Sequence, residues 1–232
     1  MSEPQDLPPI ERAPQPITFS GAAVLTSLAA AAGLLLFFVW LSDQVFEGGA
    51  ARFDASVRAW VHGFASPTLT RAMQFASSLG SEVLVAGLVV SLVAFGLLRW
   101  KRAALWMVVT MAGALVLDLA LKAAFHRTRP VPFFGPSPHT YSFPSGHSLF
   151  SFCFYMVLAG LVSARLRSPR LRVLVWTLAA LIVAAIGLSR IYLGVHYPSD
   201  VLAGYLSAAM WAAAMITIDR ARRQRSRKPS TE

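Results

Sequence analysis

The stretch Ser189 to Asp200 reads SRIYLGVHYPSD: an arginine, a histidine six residues on, and an aspartate four beyond that, set between two long apolar runs. Charged side chains at the mouth of an apolar bundle are costly to place, which makes Arg190, His196 and Asp200 functional candidates by default. A carboxylate behind a histidine fixes the imidazole tautomer and stabilises positive charge on the ring, so the pair suits a nucleophile or a general base. An arginine beside it offers a planar fork matched to a phosphate.

Two further pieces have the same character. KAAFHRTRP supplies Lys122, Arg129 and Pro130, and the following loop closes on PSGH, Pro144 to His147, just before another apolar run. Ser145 and Gly146 therefore stand where a helix begins, and unpaired backbone N–H groups there attract anions. Glycine lets an oxyanion approach the backbone closely. Three cations, helix-terminal amides and two histidines brought to one pocket call for a phosphate group. No carboxylate pair or His/Asp grouping suits magnesium or zinc, so no metal and no cofactor is expected.

Around these stand weaker candidates. Asp118 lies one helical turn before Lys122 and is a supporting residue that pairs with Lys122 or another site cation, or else makes a local hydrogen bond. Arg127 reads as a surface anchor, with a place at the pocket rim as the alternative. His126 and His139 read as loop residues, and Asp54 and His62 as solvated surface residues. Tyr141, Tyr192 and Tyr197 border the entrance or sit at the membrane interface. Gly194 and Pro198 look like backbone requirements, a break and then a proline in a first helical turn. Cys153, the single cysteine, reads as a small core residue.

The elements that must carry these residues are membrane helices. The chain has 232 residues, 56% hydrophobic and 14% charged, with a mean hydropathy of +0.56, against about 25% charged in a soluble domain. The net charge of +10 sits in short loops and in the tail DRARRQRSRK, which marks a membrane side rather than a nucleic-acid surface. Residues 1–16 are polar and proline-rich and read as a disordered cytoplasmic tail. A membrane domain over 17–218 follows, and then a basic cytoplasmic tail over 219–232.

The run from Ile17 to Leu41 is long enough to span. It lacks a basic leader segment and stays apolar past Ala29 to Ala31, so it reads as an anchored span rather than a cleaved signal. Between Ser42 and Gly80 lie two short amphipathic pieces. The first carries Phe53, Val57, Trp60, Val61 and Phe64 in one stripe, and the second starts at Ser66-Pro67, an N-cap and N1 pair. They either lie on the membrane surface or pack on the bundle. Further spans are expected at about Ser81 to Leu98, Ala103 to Ala124, His147 to Ala164, Leu171 to Leu188 and Asp200 to Ile218. The fold class is thus all-α, an integral bundle of about six transmembrane helices. Most of the 21 Lys and Arg residues fall on one side if both termini are cytoplasmic, including Arg12, Arg99 to Arg102, Arg165 to Arg172 and the C-terminal tail. Every candidate site residue then faces outward.

The pattern K-x6-RP, PSGH and SR-x5-H-x3-D, complete in Lys122 to Asp200, resembles the type 2 phosphatidic acid phosphatase superfamily, and the six-span layout is similar to its membrane branch. The resemblance implies a metal-independent lipid phosphate or pyrophosphate phosphatase working through a phosphohistidine. It implies that His196 attacks phosphorus, Asp200 orients it, and His147 protonates the leaving group and then assists water. It further implies that Lys122, Arg129, Arg190, Ser145 and the Gly146 amide hold the phosphate oxygens. The partners expected are a membrane lipid phosphate and the bilayer, with no nucleic acid and no obligate protein partner. The place is the inner (plasma) membrane, with the site on the extracytoplasmic face. A lipid phosphotransferase, a vanadate-dependent haloperoxidase and a non-enzymatic anionic-lipid binder are the alternatives.

Overall fold

The computed structural model describes residues 21–136 and 138–225, with side chains between 29 and 219. It has eight α-helices in this order: α1 (Gly21–Phe46), α2 (Ala51–His62), α3 (Pro67–Ser78), α4 (Glu82–Leu97), α5 (Lys101–Phe125), α6 (Gly146–Ser163), α7 (Pro169–Tyr192) and α8 (Pro198–Arg225). The expected N-terminal tail and the charged end of the C-terminal tail, Arg220 to Lys228, lie outside the residues with described side chains.

The helix that the others surround is α6. It packs on α5, α7 and α8, and Leu149 and Cys153 along it are fully buried. Its face toward these neighbours is rich in small residues, among them Gly146, Ser148, Ser151, Ala159 and Ser163, which let helices approach closely where hydrophobicity gives no preference for a partner over lipid. Side-chain to backbone hydrogen bonds join the bundle further: Tyr205 Oη donates to the Val183 carbonyl (2.6 Å) and Trp211 Nε1 to the Thr110 carbonyl (3.0 Å). The outward faces are apolar instead, with Val90, Val116 and Leu181 each more than 60% exposed, as lipid contact allows.

Six stretches among the described residues are long and apolar enough to cross a membrane. Helix α4 alone, at 16 residues, would reach only about 24 Å. It continues from α3, and the pair forms one candidate span over Pro67–Leu97. Helix α3 is thus part of the bundle, packed on α7, rather than a helix lying on the surface. Its N-terminus is capped as the sequence suggests, by Ser66 Oγ accepting from the Leu69 N–H.

The stripe expected on α2 is divided by the structure. Val57 and Val61 pack against Tyr192, Leu193 and Val195, while Phe53, Trp60 and Phe64 are 49%, 66% and 58% exposed. Asp54, Arg58 and Val61, spaced i, i+4 and i+7, ride the inner face. The aromatic residues can face a bilayer at no cost, which leaves the inner face free for ionic contacts.

Candidate active site

The C-terminus of α5, the N-terminus of α6, the C-terminus of α7 and the N-terminus of α8 meet at one end of the bundle. They surround a cavity of about 620 Å³ whose polar lining is Ser81, Lys122, Arg129, Thr140, His147, Arg190 and His196, with Gly146 beside them. Its remaining wall is apolar and runs between α4 and α5. There Val85 and Leu115 both line it and are 59% and 50% exposed to the outside. The opposite end of the molecule carries the basic loops. There Arg102 pairs with Asp219 and the Arg165 guanidinium lies 3.6 Å over the Trp100 ring.

His196 follows α7 in a short turn that depends on Gly194. That glycine has φ +79°, and a Cβ there would lie 2.5 Å from the Phe133 nitrogen, so a side chain would meet backbone as well as strain. The imidazole is 2% exposed. Its Nε2 accepts from Arg129 Nη1 at 3.0 Å, and since arginine has no acceptor, Nε2 carries the lone pair. Nδ1 lies 3.5 Å from Asp200 Oδ2, on the side where a proton belongs. Burial draws the His196 imidazole down to about 4, against the pull of Asp200 and assisted by Arg129 and Arg190. The ring is therefore neutral at ordinary pH.

Asp200 is fully buried and fully hydrogen-bonded. Its Oδ2 accepts from Ser142 Oγ and from the Tyr197 N–H (2.9 Å), and its Oδ1 from Arg127 Nη1 (2.5 Å). Pro198 opens α8, as its position in the sequence suggests.

Arg129 is fixed by the loop it faces. Nε donates to the Thr140 carbonyl (2.7 Å), Nη2 to Thr140 Oγ1 (2.8 Å) and Nη1 to the Val195 carbonyl (2.9 Å). Burial lowers this guanidinium from its ordinary value, although Asp200 and Asp118 oppose the shift. Arg190 is held by Ser77 Oγ of α3, and its buried Nε has no partner. Lys122 Nζ donates to both carboxylate oxygens of Asp118, at 2.8 and 2.7 Å. Of the alternatives for Asp118, the pairing with Lys122 is the one formed.

Gly146 begins α6 against this pair: a Cβ there would lie 3.1 Å from Asp118 Oδ1 and 3.2 Å from Lys122 Nζ. Ser145 occupies the N-cap position, yet its side chain caps nothing, and its buried Oγ has no partner. It does not line the cavity, and its N–H is spent on the Asp200 carbonyl. The first-turn amides of α6 beyond it are the ones left for an anion. His147 sits in that first turn and faces the cavity.

Four sequence expectations need correction. Asp54 is not solvated: it is 1% exposed and paired with Arg127 at 2.8 Å. Arg127 is not a surface anchor. It bridges Asp54 and Asp200, which outweigh its burial and raise it above its ordinary value. His62 is stacked on Phe133, with centroids 3.9 Å apart. For Asp54 and Arg127 the physical reason is shared: once Asp200 is buried, its neutralising arginine gains a second carboxylate. Tyr192, expected at the entrance or the interface, is instead buried in the core and bonds Thr70 Oγ1 at 2.8 Å. Among the described residues, no group of three or more His, Cys, Asp or Glu side chains is placed to hold a metal.

Residues 103–224 match the PAP2 superfamily. Phosphatidylglycerophosphatase B of Bacillus subtilis is 29% identical over 74% of this chain and 86% of its own length. Undecaprenyl-diphosphatase of Sulfolobus acidocaldarius is 31% identical over 75% and 83%. The crystal structure of the transmembrane PAP2 type phosphatidylglycerolphosphate phosphatase from Bacillus subtilis superposes with a TM-score of 0.75 at 27% identity, covering 82% of this chain and 96% of that one. Aquifex aeolicus LpxE, at 22% identity and a TM-score of 0.55 over 71% and 95%, shares the fold.

Proposed function

This chain belongs to the PAP2 superfamily, and we propose that it removes the terminal phosphate of a lipid phosphate or pyrophosphate through a phosphohistidine on His196. That it is a multi-pass membrane phosphatase, a phosphate-ester hydrolase, follows from the family and the relatives. The observation that carries the finer reading is the placement of His196. Nε2 bears the lone pair beside Arg129 at the cavity, and Nδ1 turns toward Asp200.

In the first step the Nε2 lone pair forms a bond to phosphorus as the bond from phosphorus to the leaving oxygen breaks. His147 gives that oxygen its proton, and the positive charge gained by the imidazole is met by Asp200. In the second step water attacks phosphorus and passes a proton back to His147. The N–P bond breaks, and inorganic phosphate and neutral His196 remain. Lys122, Arg129, Arg190 and the Gly146 amide hold the phosphoryl oxygens; the Ser145 hydroxyl, buried and outside the cavity lining, is not among them. With Arg127, Asp54, Asp118 and Asp200 counted in, four cations face three carboxylates. The net charge of +1, raised to +2 when His147 carries the proton it donates, attracts a phosphate.

The lipid tail lies in the apolar part of the cavity, which Val85 and Leu115 connect to the outside between α4 and α5. Substrate of phosphatidylglycerol phosphate, undecaprenyl pyrophosphate, phosphatidate or lipid A type fits this division. The basic end opposite the site supports both termini being cytoplasmic in the inner (plasma) membrane, with the site outward, and the protein acts without an obligate protein partner. The test is phosphate release by purified protein in EDTA, offered undecaprenyl pyrophosphate and phosphatidate separately, beside His196→Ala. Release lost in the variant supports the reading. Release equal in both proteins contradicts it, and phosphate that appears on an added acceptor lipid instead of in solution would make the protein a transferase.

A further inference from the structure

Asp54 is buried and Arg127 partly so, with side chains 1% and 16% exposed; the two are paired, yet neither lines the cavity. Arg127 lies in the segment after α5 and donates through Nη1 to Asp200 Oδ1 (2.5 Å) and Ser199 Oγ (2.8 Å), and through Nη2 to Asp54 Oδ2 (2.8 Å). Its guanidinium lies 4.0 Å over the Tyr197 ring. Asp54, from α2, accepts from the Ser199 N–H (2.9 Å) on Oδ1 and from Ser199 Oγ (2.6 Å) on Oδ2. One guanidinium thus has a carboxylate at each end, and one of those carboxylates is the partner of His196.

A guanidinium on Asp200 has two opposed consequences. It fixes the carboxylate plane with Oδ2 turned to His196, which helps. It also cancels the charge that must stabilise the imidazole as its N–P bond forms, which hinders. A second carboxylate at the far end of the guanidinium removes the hindrance and keeps the orientation. We propose that Asp54 and Arg127 are positioning residues of phosphoryl transfer, in which Arg127 aims Asp200 at His196 and Asp54 neutralises Arg127 so that Asp200 keeps its charge for the imidazole. This inference rests on His196 being the nucleophile.

Among the described residues, the surroundings contain nothing else able to take the role of Asp54. The groups that bear on His196 are Arg129 from the segment after α5, Arg190 from α7 and His147 from α6, with Lys122 of α5 held by Asp118. Those that bear on the Asp54 side are Arg127 and Arg58. Arg58 is 5.4 Å from the Tyr197 ring and bonds the Val131 and Gly194 carbonyls. Apart from Asp200 and Asp54, each of these groups around the dyad is cationic or a histidine, except Asp118, which is committed to Lys122.

The experiment measures kcat and KM for phosphatidate in detergent micelles for wild type, Asp54→Asn, Arg127→Lys, the double variant Asp54→Asn/Arg127→Gln, and His196→Ala. Neither residue touches the phosphate, so Asp54→Asn lowers kcat by roughly tenfold or more and leaves KM within about twofold. The double variant, which removes the stray charge along with its counter-ion, recovers at least about half of that loss on a logarithmic scale. Arg127→Lys keeps the charge but cannot span both carboxylates, and it too lowers kcat at constant KM. A kcat for Asp54→Asn within twofold of wild type, or a double variant slower than Asp54→Asn, overturns the proposal. Should Asp54→Asn not yield monodisperse protein, Arg127→Lys and the double variant decide, and a double variant as inactive as His196→Ala overturns it. Turnover that survives in His196→Ala would strike down the nucleophile assignment instead, a result separable from the other two.

Discussion

His196 is defined by its two nitrogens, and its chemistry follows from what each one meets. On the proposed mechanism, a ring that burial draws down to about 4 would keep its lone pair for attack on phosphorus across the whole physiological range, whereas an unperturbed histidine loses it below about pH 6.5. The sign is simple: the reactive form exists above the lowered value. The rate of phosphoryl transfer, corrected for the substrate's own ionisation, should therefore hold between pH 6.5 and 5. Rapid-quench measurements would show a tenfold fall per pH unit below 6.5 if burial did not matter. The cations are tested one at a time. Arg190→Ala should cost about 10²-fold in kcat/KM, on the order of 3 kcal/mol, because its Nε has no other partner. Asp118→Asn should cost about tenfold, or ~1.4 kcal/mol, by releasing Lys122 from its bidentate hold. Unchanged activity and stability in that variant would reduce the pair to a local contact.

At the scale of elements, the helices and their order were largely legible in the sequence, because long apolar runs broken by Pro, Gly and basic clusters leave little choice in a membrane. The Ser66-Pro67 start of α3, the Pro198 start of α8 and the need for glycine at 194 follow from local chemistry alone. Gly194→Ala should lower the melting temperature in detergent clearly, since a non-glycine residue there costs about 1–2 kcal/mol in backbone conformation before the contact with Phe133 is counted. What sequence did not reveal was which face of α2 turns inward. A stripe of Phe53, Trp60 and Phe64 suggests burial in water, but a bilayer makes the same stripe an outer surface, and Asp54 opposite it becomes an inner residue. Its partner Arg127 is 73 residues away, and no periodicity reports a pairing of that kind. The signal was there in weak form, an acidic residue on the polar side of a helix bordering a cationic site. Likewise Arg190 was legible as a member of the cationic cluster that lines the cavity, but its support from Ser77 across 113 residues was not.

For the whole molecule, the account divides function between the two ends of the bundle. One end gathers the cations, histidines and helix termini around the cavity, and the other carries the basic loops. Residues of α4 and α5 form the apolar wall of the cavity, and on the proposed reading, in which the lipid tail lies there, a larger side chain should discriminate by chain length. Leu115→Trp is expected to raise KM several-fold for a long-chain lipid phosphate while sparing a short-chain one, and an equal effect on both would place the entrance elsewhere. The most direct test of the central claim is the covalent intermediate itself. Protein mixed with substrate labelled in its terminal phosphate should be quenched in alkali, where a phosphohistidine survives, and mapped by mass spectrometry. The account predicts an acid-labile phosphoryl group on His196, absent from His196→Ala. Labelling of another residue, or turnover with no covalent label at any time point, would contradict it.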